Sequence, residues 1–476
     1  MSRQTRARWV ALFVSSTSFF MSLNMGARAA QTLTLSLALV GAAQAMTFAE
    51  AYDAARRNDA QFRAAAHELE VTQLAVPIAR SALLPSLSFN ASGSEVTGSR
   101  AFPNALNQDV KVRTEYATPQ ASLNLRVPIF NYEALSRYRQ TQLQSDQADS
   151  VYRLRGLELI DRLTTAYLQV LLTGEGQRLA QSQVQAVTAQ LAQSRQRLER
   201  GEGTRVDVAQ LAAGLDLARA RSIEADDLLE LARRQLRRHT GLATPPLRQV
   251  PADYVPAPLE QQTLRDWTDL AVRQSPSLRA REQALMAAKM GVQRNFAGHL
   301  PRLDLVASLS HSQNESISSL NQTSSLRSIG MQLTVPLYSG GGVDASVKQA
   351  LAEQARIEQD IRSERETLEV EVQRHHHAVA GGQAKIAAFA EVVKSAQLAL
   401  TGSQRALAGG LATSNDVVDA QARLYAAQRD LAQVRVEYLL SRARLMVQSG
   451  MTMAAISDDL DRALVAPSNP LSTSTR

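Results

Sequence analysis

The sequence is written twice, and that duplication restricts what it can fold into. Phe62-Arg63-Ala64 aligns with Leu278-Arg279-Ala280, and Leu84-Pro85-Ser86-Leu87 with Leu300-Pro301-Arg302-Leu303, each pair 216 residues apart. Val127-Pro128-Ile129-Phe130 aligns with Val335-Pro336-Leu337-Tyr338 at a spacing of 208. Asp207-Val208 aligns with Asp416-Val417, and Gly241 with Gly450, at 209. The order is collinear, so residues 46–242 and 259–457 are two copies of one design. A Pro-rich connector, 243–258, joins them, and 458–476 reads as a polar tail.

Within each copy the hydrophobic period changes in the same order. Residues 47–82 read as helix. From Leu84 the period becomes two: Leu87, Phe89 and Ala91 alternate with Ser88, Asn90 and Ser92. A polar, Gly/Asn/Ser-rich loop is expected to about 117, and then Ala121, Leu123, Leu125, Val127 and Ile129 alternate with Gln120, Ser122, Asn124 and Arg126. The second copy repeats the pattern at 300–338, with Leu303, Leu305, Ala307 and Leu309, then Ile329, Met331, Leu333, Val335 and Leu337. Two hairpins (84–130 and 300–338) thus offer four strands of about ten residues with one apolar face, the pattern of a transmembrane β-barrel. A lone hairpin of this kind would equally suit packing on a soluble core.

The segment after each hairpin shifts the balance. From 132 to 200 almost no residue breaks a helix, so at 1.5 Å per residue the chain predicts a rod on the order of 100 Å long. The next helix places Val208, Leu211, Leu215, Ala218, Leu229, Ala232 and Leu236 at 3/4 spacing, and its counterpart does so with Val417, Ala420, Leu424, Ala427, Leu431, Val434, Tyr438 and Leu445. Those are coiled-coil seams, and their small residues imply close helix approach. The fold class expected is mainly α with a transmembrane β-barrel portion. Four strands cannot close a barrel, because a filled interior needs about eight. Open edges in lipid cost several kcal/mol per unpaired group. Oligomerisation through the strands is therefore required; a cyclic homotrimer gives twelve strands and room for a lumen lined by Ser88, Asn90, Ser122, Asn124, Arg126 and Thr334, continued by an α-helical tunnel.

Charge and composition exclude other classes. The net charge of +7 includes Arg3, Arg6, Arg8 and Arg28 in the first 45 residues, which hold no acid; the remainder carries 48 basic and 45 acidic residues. Nucleic acid is thus not an expected partner. The absence of cysteine excludes disulfide scaffolds, Cys-ligated metals, thiol catalysis and an acylated N-terminal cysteine. Leu33–Ala43 ends in Ala43-Gln44-Ala45, an A-x-A signature, so 1–45 reads as a signal peptide cleaved before Met46, with translation starting at Met1 or Met25. The apolar run Trp9–Phe20 is too short for about 30 Å of hydrocarbon.

In their order and duplication, these motifs resemble the TolC family of outer-membrane efflux and secretion proteins across the whole mature chain. The likeness rests on Leu-Leu-Pro-x-Leu and Leu-Pro-x-Leu at the strand starts and on Val-Pro-Leu-Tyr-Ser-Gly-Gly from Val335. It rests too on the turns Gly201 to Asp207 and Gly410 to Asp416. The resemblance implies a non-lipidated homotrimer in the outer membrane, in contact with its lipid and reaching into the periplasm. It implies docking to a periplasmic adaptor (membrane fusion) protein and an inner-membrane ABC or proton-driven transporter, with no cofactor and no enzyme activity. Cargo would be an exported protein, such as an RTX-type toxin, or small molecules; protein export is the reading preferred. The alternative is a soluble periplasmic coiled-coil adaptor or scaffold.

The resemblance places the periplasmic entrance at the second turn, where Asp416 and Asp419 match the family's carboxylates. Six such groups around a threefold axis would favour cations. Read on its own, Asp416 in Ser414-Asn415-Asp416 suits a helix start, and for Asp207 capping is the preferred role. Gly201 and Gly410 permit tight turns, which adaptor tips would grip. Leu407 and Ala412 stand where the family has an aromatic and a basic residue that latch the entrance, so that latch is absent in its usual form. His375-His376-His377 diverge by about 100° per residue on a helix, which suits a solvated face better than a metal site. Gly340-Gly341-Gly342 lacks the Lys-Ser/Thr of a phosphate loop and reads as a strand-to-helix junction.

Overall fold

The computed structural model describes residues 45–103, 105, 108–243, 246–251, 253–256, 263–316 and 319–465. The expected signal segment therefore lies outside the described residues but for Ala45, as do part of the connector and the last eleven positions. From Ala45 on, the chain forms one unit.

Each half runs helix, helix, hairpin, long helix, helix. The first contains α1 (Phe48–Asn58), α2 (Ala60–Ser81), β1 (Ser86–Pro103), β2 (Asp109–Phe130), α3 (Tyr132–Glu199) and α4 (Arg205–Thr240). The second contains α5 (Leu264–Gln274), α6 (Pro276–Phe296), a 3-10 turn (Ala297–His299), β3 (Arg302–Ser316), β4 (Ser319–Thr334), α7 (Gly342–Ala408) and α8 (Ser414–Gln448); α9 (Met453–Ala463) follows. The helix read over 47–82 is two helices, because Asp59 ends α1 in an extended conformation and caps α2 through the Phe62 amide at 2.9 Å.

The long helices pair as the seams require: α3 against α4, α7 against α8, with α6 lying against both α3 and α7. Leu211, Leu215, Leu229 and Leu236 of α4 and Leu424, Leu431, Tyr438 and Leu445 of α8 are buried. The two halves are also tied by Arg444 of α8, whose Nε donates to Asp161 of α3 at 2.7 Å. The main core gathers where short helices wrap the rods, around Phe48, Tyr167, Trp267, Val372, Tyr438 and Ile456. Phe48 meets Tyr167 edge to face at 5.7 Å, and the Tyr167 hydroxyl donates to the Met46 carbonyl at 2.9 Å. Beside them Met46 bridges to Leu247, and Gln249 to Val465, so the beginning, middle and end of the described chain meet in one belt.

Residues 458–465 are therefore not part of a polar tail. Leu460 and Leu464 are buried, Asp459 holds Arg442 of α8 at 2.7 Å, and Asp461 accepts the Phe48 amide at 3.1 Å. Two of the three acids that make this segment look solvated, Asp459 and Asp461, are paired inside the fold, while Asp458 is exposed.

The four strands form one antiparallel sheet in the order β1-β2-β3-β4. They are 18, 22, 15 and 16 residues long rather than about ten. The pairing continues beyond the stretch with one apolar face, to Pro103↔Asp109 and Ser316↔Ser319. In these outer segments only β2 keeps a period of two, with Val110, Val112 and Tyr116 alternating with Lys111, Arg113 and Glu115. β4 ends at Thr334, opposite Arg302 at the start of β3, so Val335–Tyr338 lie beyond any strand partner within the chain. Pro128 has no N–H for the ladder, and the β2–β3 register shifts between it and Phe130.

Gly381 and Gly382 lie side by side inside α7 with opposite surroundings. A Cβ on Gly381 would meet nothing within 4 Å, whereas one on Gly382 would lie 2.5 Å from the Tyr438 ring. Gly381→Ala should stabilise the protein by about 0.5–1 kcal/mol through helix propensity. Gly382→Ala should cost about 1–3 kcal/mol by forcing α7 and α8 apart. Thermal unfolding of the two variants should move in opposite directions.

Candidate functional site

The two interhelical turns are built alike, residue for residue. After α3, Gly201 takes φ 77° and its N–H donates to Leu198 O at 3.0 Å, while Glu202 N–H donates to Arg197 O at 2.9 Å. After α7, Gly410 takes φ 73°, donating to Leu407 O at 3.2 Å, and Leu411 donates to Ala406 O at 2.8 Å. Both are Schellman endings, in which a left-handed glycine lets the last carbonyls find donors.

Each turn then starts its next helix with a reciprocal cap. Thr204 caps α4: its hydroxyl accepts the Asp207 N–H at 3.1 Å, and the Asp207 carboxylate accepts the Thr204 hydroxyl at 2.6 Å and N–H at 3.3 Å. Thr413 caps α8 in the same way, with Asp416 N–H donating to its hydroxyl at 3.3 Å and the Asp416 carboxylate accepting the Thr413 N–H at 2.7 Å and hydroxyl at 2.8 Å. Ser414-Asn415-Asp416 are thus the first three residues of the helix, with Thr413 as the N-cap and Asp416 at the third helical position completing the reciprocal cap. The Thr-x-x-Asp spacing, a variant of the capping box, carries that signal in the sequence. The amide and then the hydroxyl of Thr413 hold the Asp416 carboxyl below the usual carboxylate range.

Asp416 and Asp419 are both exposed, one helical turn apart, while Val417 and Ala420, the residues that follow each of them, are buried against α7 with Leu400 and Leu424. The packing of α8 therefore turns both carboxylates outward. Asp207 is half-buried in the first turn. Leu407 packs onto the same apolar cluster as Leu400 and Leu424, and Leu411 at the tip is exposed.

The sheet supplies the second surface. Register sets Ser88 beside Asn124, Ser308 and Ser328, and Asn90 beside Ser122, Ser310 and Leu326, so one face is mostly polar, with Leu326 and, beside Arg126, Val306 as apolar members. Arg126 pairs with buried Asp304 on that face. The opposite face sets Leu87, Leu125, Ala307 and Ile329 in one row, and Val127, Leu305 and Met331 in the next. On that face Phe89, Ile329 and Met331 are 67–77% exposed, and the outer edges of β1 and β4 pair with nothing among the described residues. No helix among the described residues is long and apolar enough to cross a membrane.

The family model described as outer membrane efflux protein matches residues 51–242 and 267–450, the two halves in turn. The proteases secretion protein PrtF of Dickeya chrysanthemi is 35% identical over 432 residues, covering 89% of this chain and 92% of that protein. The alkaline protease secretion protein AprF of Pseudomonas aeruginosa is 33% identical over 429 residues, covering 89% and 87%. Among solved structures, CusC superposes with a TM-score of 0.72 at 16% identity over 85% of this chain and 92% of that one. VceC of Vibrio cholerae does so at 0.69 and 18%, over 85% and 96%.

The chain belongs to the outer membrane efflux protein family. It is an outer-membrane channel-tunnel, with the sheet as its membrane portion and the long helices as its periplasmic portion; the soluble-scaffold reading is not favoured. In this efflux-family chain the histidine run of α7 departs from expectation. His375 is 5% exposed rather than solvated, and burial, then the Arg374 charge, pushes its imidazole down against the pull of Glu371. His377 points outward, and no cluster of three or more metal-ligating side chains occurs among the described residues. Gly340 and Gly341, at φ 60° and 77°, form the strand-to-helix junction before α7.

The turn glycines define a test. A Cβ on Gly201 or Gly410 would meet nothing, so alanine there should cost only the left-handed backbone, about 1–2 kcal/mol. At Gly450, φ 70°, a Cβ would also lie 2.7 Å from Gln274 Cβ, and Gly450→Ala should cost about 2–4 kcal/mol in the same denaturation assay.

Proposed function

We propose that three copies join β4 to β1, closing a twelve-stranded barrel over a helical tunnel. In this reading the channel gives passive exit across periplasm and outer membrane. An inner-membrane ABC or proton-driven transporter supplies the driving force, and a periplasmic adaptor grips the turns at Gly201 and Gly410. The observation that carries the proposal is the sheet: an apolar face exposed across four strands, bounded by two edges whose backbone groups need partners in lipid. The reading is tested by extracting the protein from outer membranes in detergent. A heat-modifiable trimer with single-channel conductance is expected; a monomer soluble in buffer would overturn it.

Cargo of the protein-export class is favoured over small molecules, because the relatives PrtF and AprF are named for protease secretion. An RTX-type toxin falls in that class. Deleting the gene should abolish secretion of such a protein while leaving drug resistance little changed.

Asp416 and Asp419 form the selectivity site in this proposal. Their exposure on the outward side of α8 and their threefold repetition support a cation-preferring mouth. Because its cap holds Asp416 below the usual range, its charge persists as pH falls past the point where a free carboxylate is half protonated. Asp419→Asn leaves the Thr413 cap intact and should reduce cation preference in planar bilayers by about half, and Asp416→Ala with Asp419→Ala by more. Unchanged reversal potentials would remove both residues from the role.

A further inference from the structure

The outward face of the sheet ends in an unpaired cation. Successive rows across the strands read Leu87, Leu125, Ala307 and Ile329, then Phe89, Leu123, Leu309 and Arg327, then Ala91, Ala121, His311 and Ser325. Arg327 is thus the first charge met on leaving the apolar rows toward the hairpin tips. It is exposed and, among the described residues, forms no ion pair. Diagonally beside it, His311 is also exposed, and its Nδ1 shares a hydrogen bond with the Ser325 hydroxyl at 2.9 Å. That bond fixes the ring and leaves Nε2 for an external partner.

Position decides what that partner is. From Leu333 to Arg327 the strand advances about 20 Å at 3.3–3.4 Å per residue, about 15 Å of height at a tilt of about 35–45°, and Val335 and Leu337 extend the apolar side below it by about 10 Å more. An outward apolar band is about 25 Å tall, so Arg327 stands at its margin, where a cation on the lipid face costs little. A guanidinium cannot shed its charge, and its planar fork matches a phosphate. The margin is the one remote from the helices, which lie on the periplasmic side; it therefore faces the outer leaflet, whose glycolipid headgroups carry phosphates. Within the chain, Glu95 and Glu115 face outward further along β1 and β2, beyond the Ala91–Ala121 pair, so no carboxylate of the same chain shares the Arg327 row.

We propose that Arg327, with His311 and Ser325, docks a headgroup phosphate of an outer-leaflet lipid, fixing the depth of the barrel. The proposal rests on the reading of the sheet as part of a closed membrane barrel, and the test keeps the two apart. The full-length channel is reconstituted in nanodiscs of phosphatidylcholine alone, with lipid A, or with lipid A stripped of its phosphates. A fourth sample receives inorganic phosphate over phosphatidylcholine. Lipid A should raise the midpoint at which the assembled oligomer dissociates by about 3–6 °C, and the stripped lipid and inorganic phosphate should not.

Arg327→Gln should lose at least half of that rise, His311→Asn less, and both should conduct like the parent. An equal rise with stripped lipid, a rise with inorganic phosphate, or a full rise in Arg327→Gln would overturn the proposal. The stripped-lipid comparison needs no variant to fold. A parent protein that forms no conducting oligomer in any disc would overturn the barrel reading itself, and this proposal with it.

Discussion

A backbone amide or carbonyl in hydrocarbon has no water to turn to, and this constraint organises the molecule. Within one chain, β2 and β3 are paired on both sides over residues 120–130 and 303–312, and β1 and β4 on one side only. The apolar rows from Leu87 to Met331 fit the sheet for lipid, while the polar rows on its other face suit water. A surface of this kind is incomplete in isolation. The long helices have the same character on another scale: each seam buries one stripe, between α3 and α4 or between α7 and α8, and apolar residues such as Ile223 of α4 and Val370 and Leu398 of α7 stay exposed.

Duplication explains why so much of the design is repeated and where it diverges. In both halves a short helix breaks next to the glycine that ends the second coiled-coil helix: Asn58 against Gly241, Gln274 against Gly450. In the first half the break is cemented by charge. Asp59 meets His239 Nδ1 at 2.7 Å and Arg162 at 3.4 Å. Burial would raise the Asp59 carboxyl, but the bond to His239, with the Phe62 amide and Arg162, brings it below its ordinary value. In the second half Ser275 takes the equivalent place, and the clasp is neutral.

Long-range periodicity makes the rods, seams and apolar rows legible in the sequence, because each pattern persists over many turns or alternations. The capped turns are legible as Gly-to-Asp-Val motifs, though the capping threonines stand beside the more conspicuous Ser414-Asn415 and are hidden by it. The features that stay hidden have no period or only a short one. The outer parts of β1, β3 and β4 are largely polar, so little in their composition distinguishes strand from loop. β2 does alternate Val110, Val112 and Tyr116 with Lys111, Arg113 and Glu115, but within a polar, Gly/Asn/Ser-rich stretch that hides it. α9 is masked by Asp458, Asp459 and Asp461; the burial of the last two depends on arginine and amide partners elsewhere in the fold. His375 turns inward because α7 packs on both sides there, which no local window reveals.

The belt joining Met46, Gln249 and Val465 has a consequence for biogenesis. A chain threaded through a translocon from its N-terminus delivers Val465 only after both rods have emerged. Until then the bridge to Gln249 is missing, and Leu460 and Leu464 have not reached the centre they fill. Maturation in the periplasm is therefore gated by the arrival of α9: chains cut short before it would be left without their keystone and exposed to quality-control proteases.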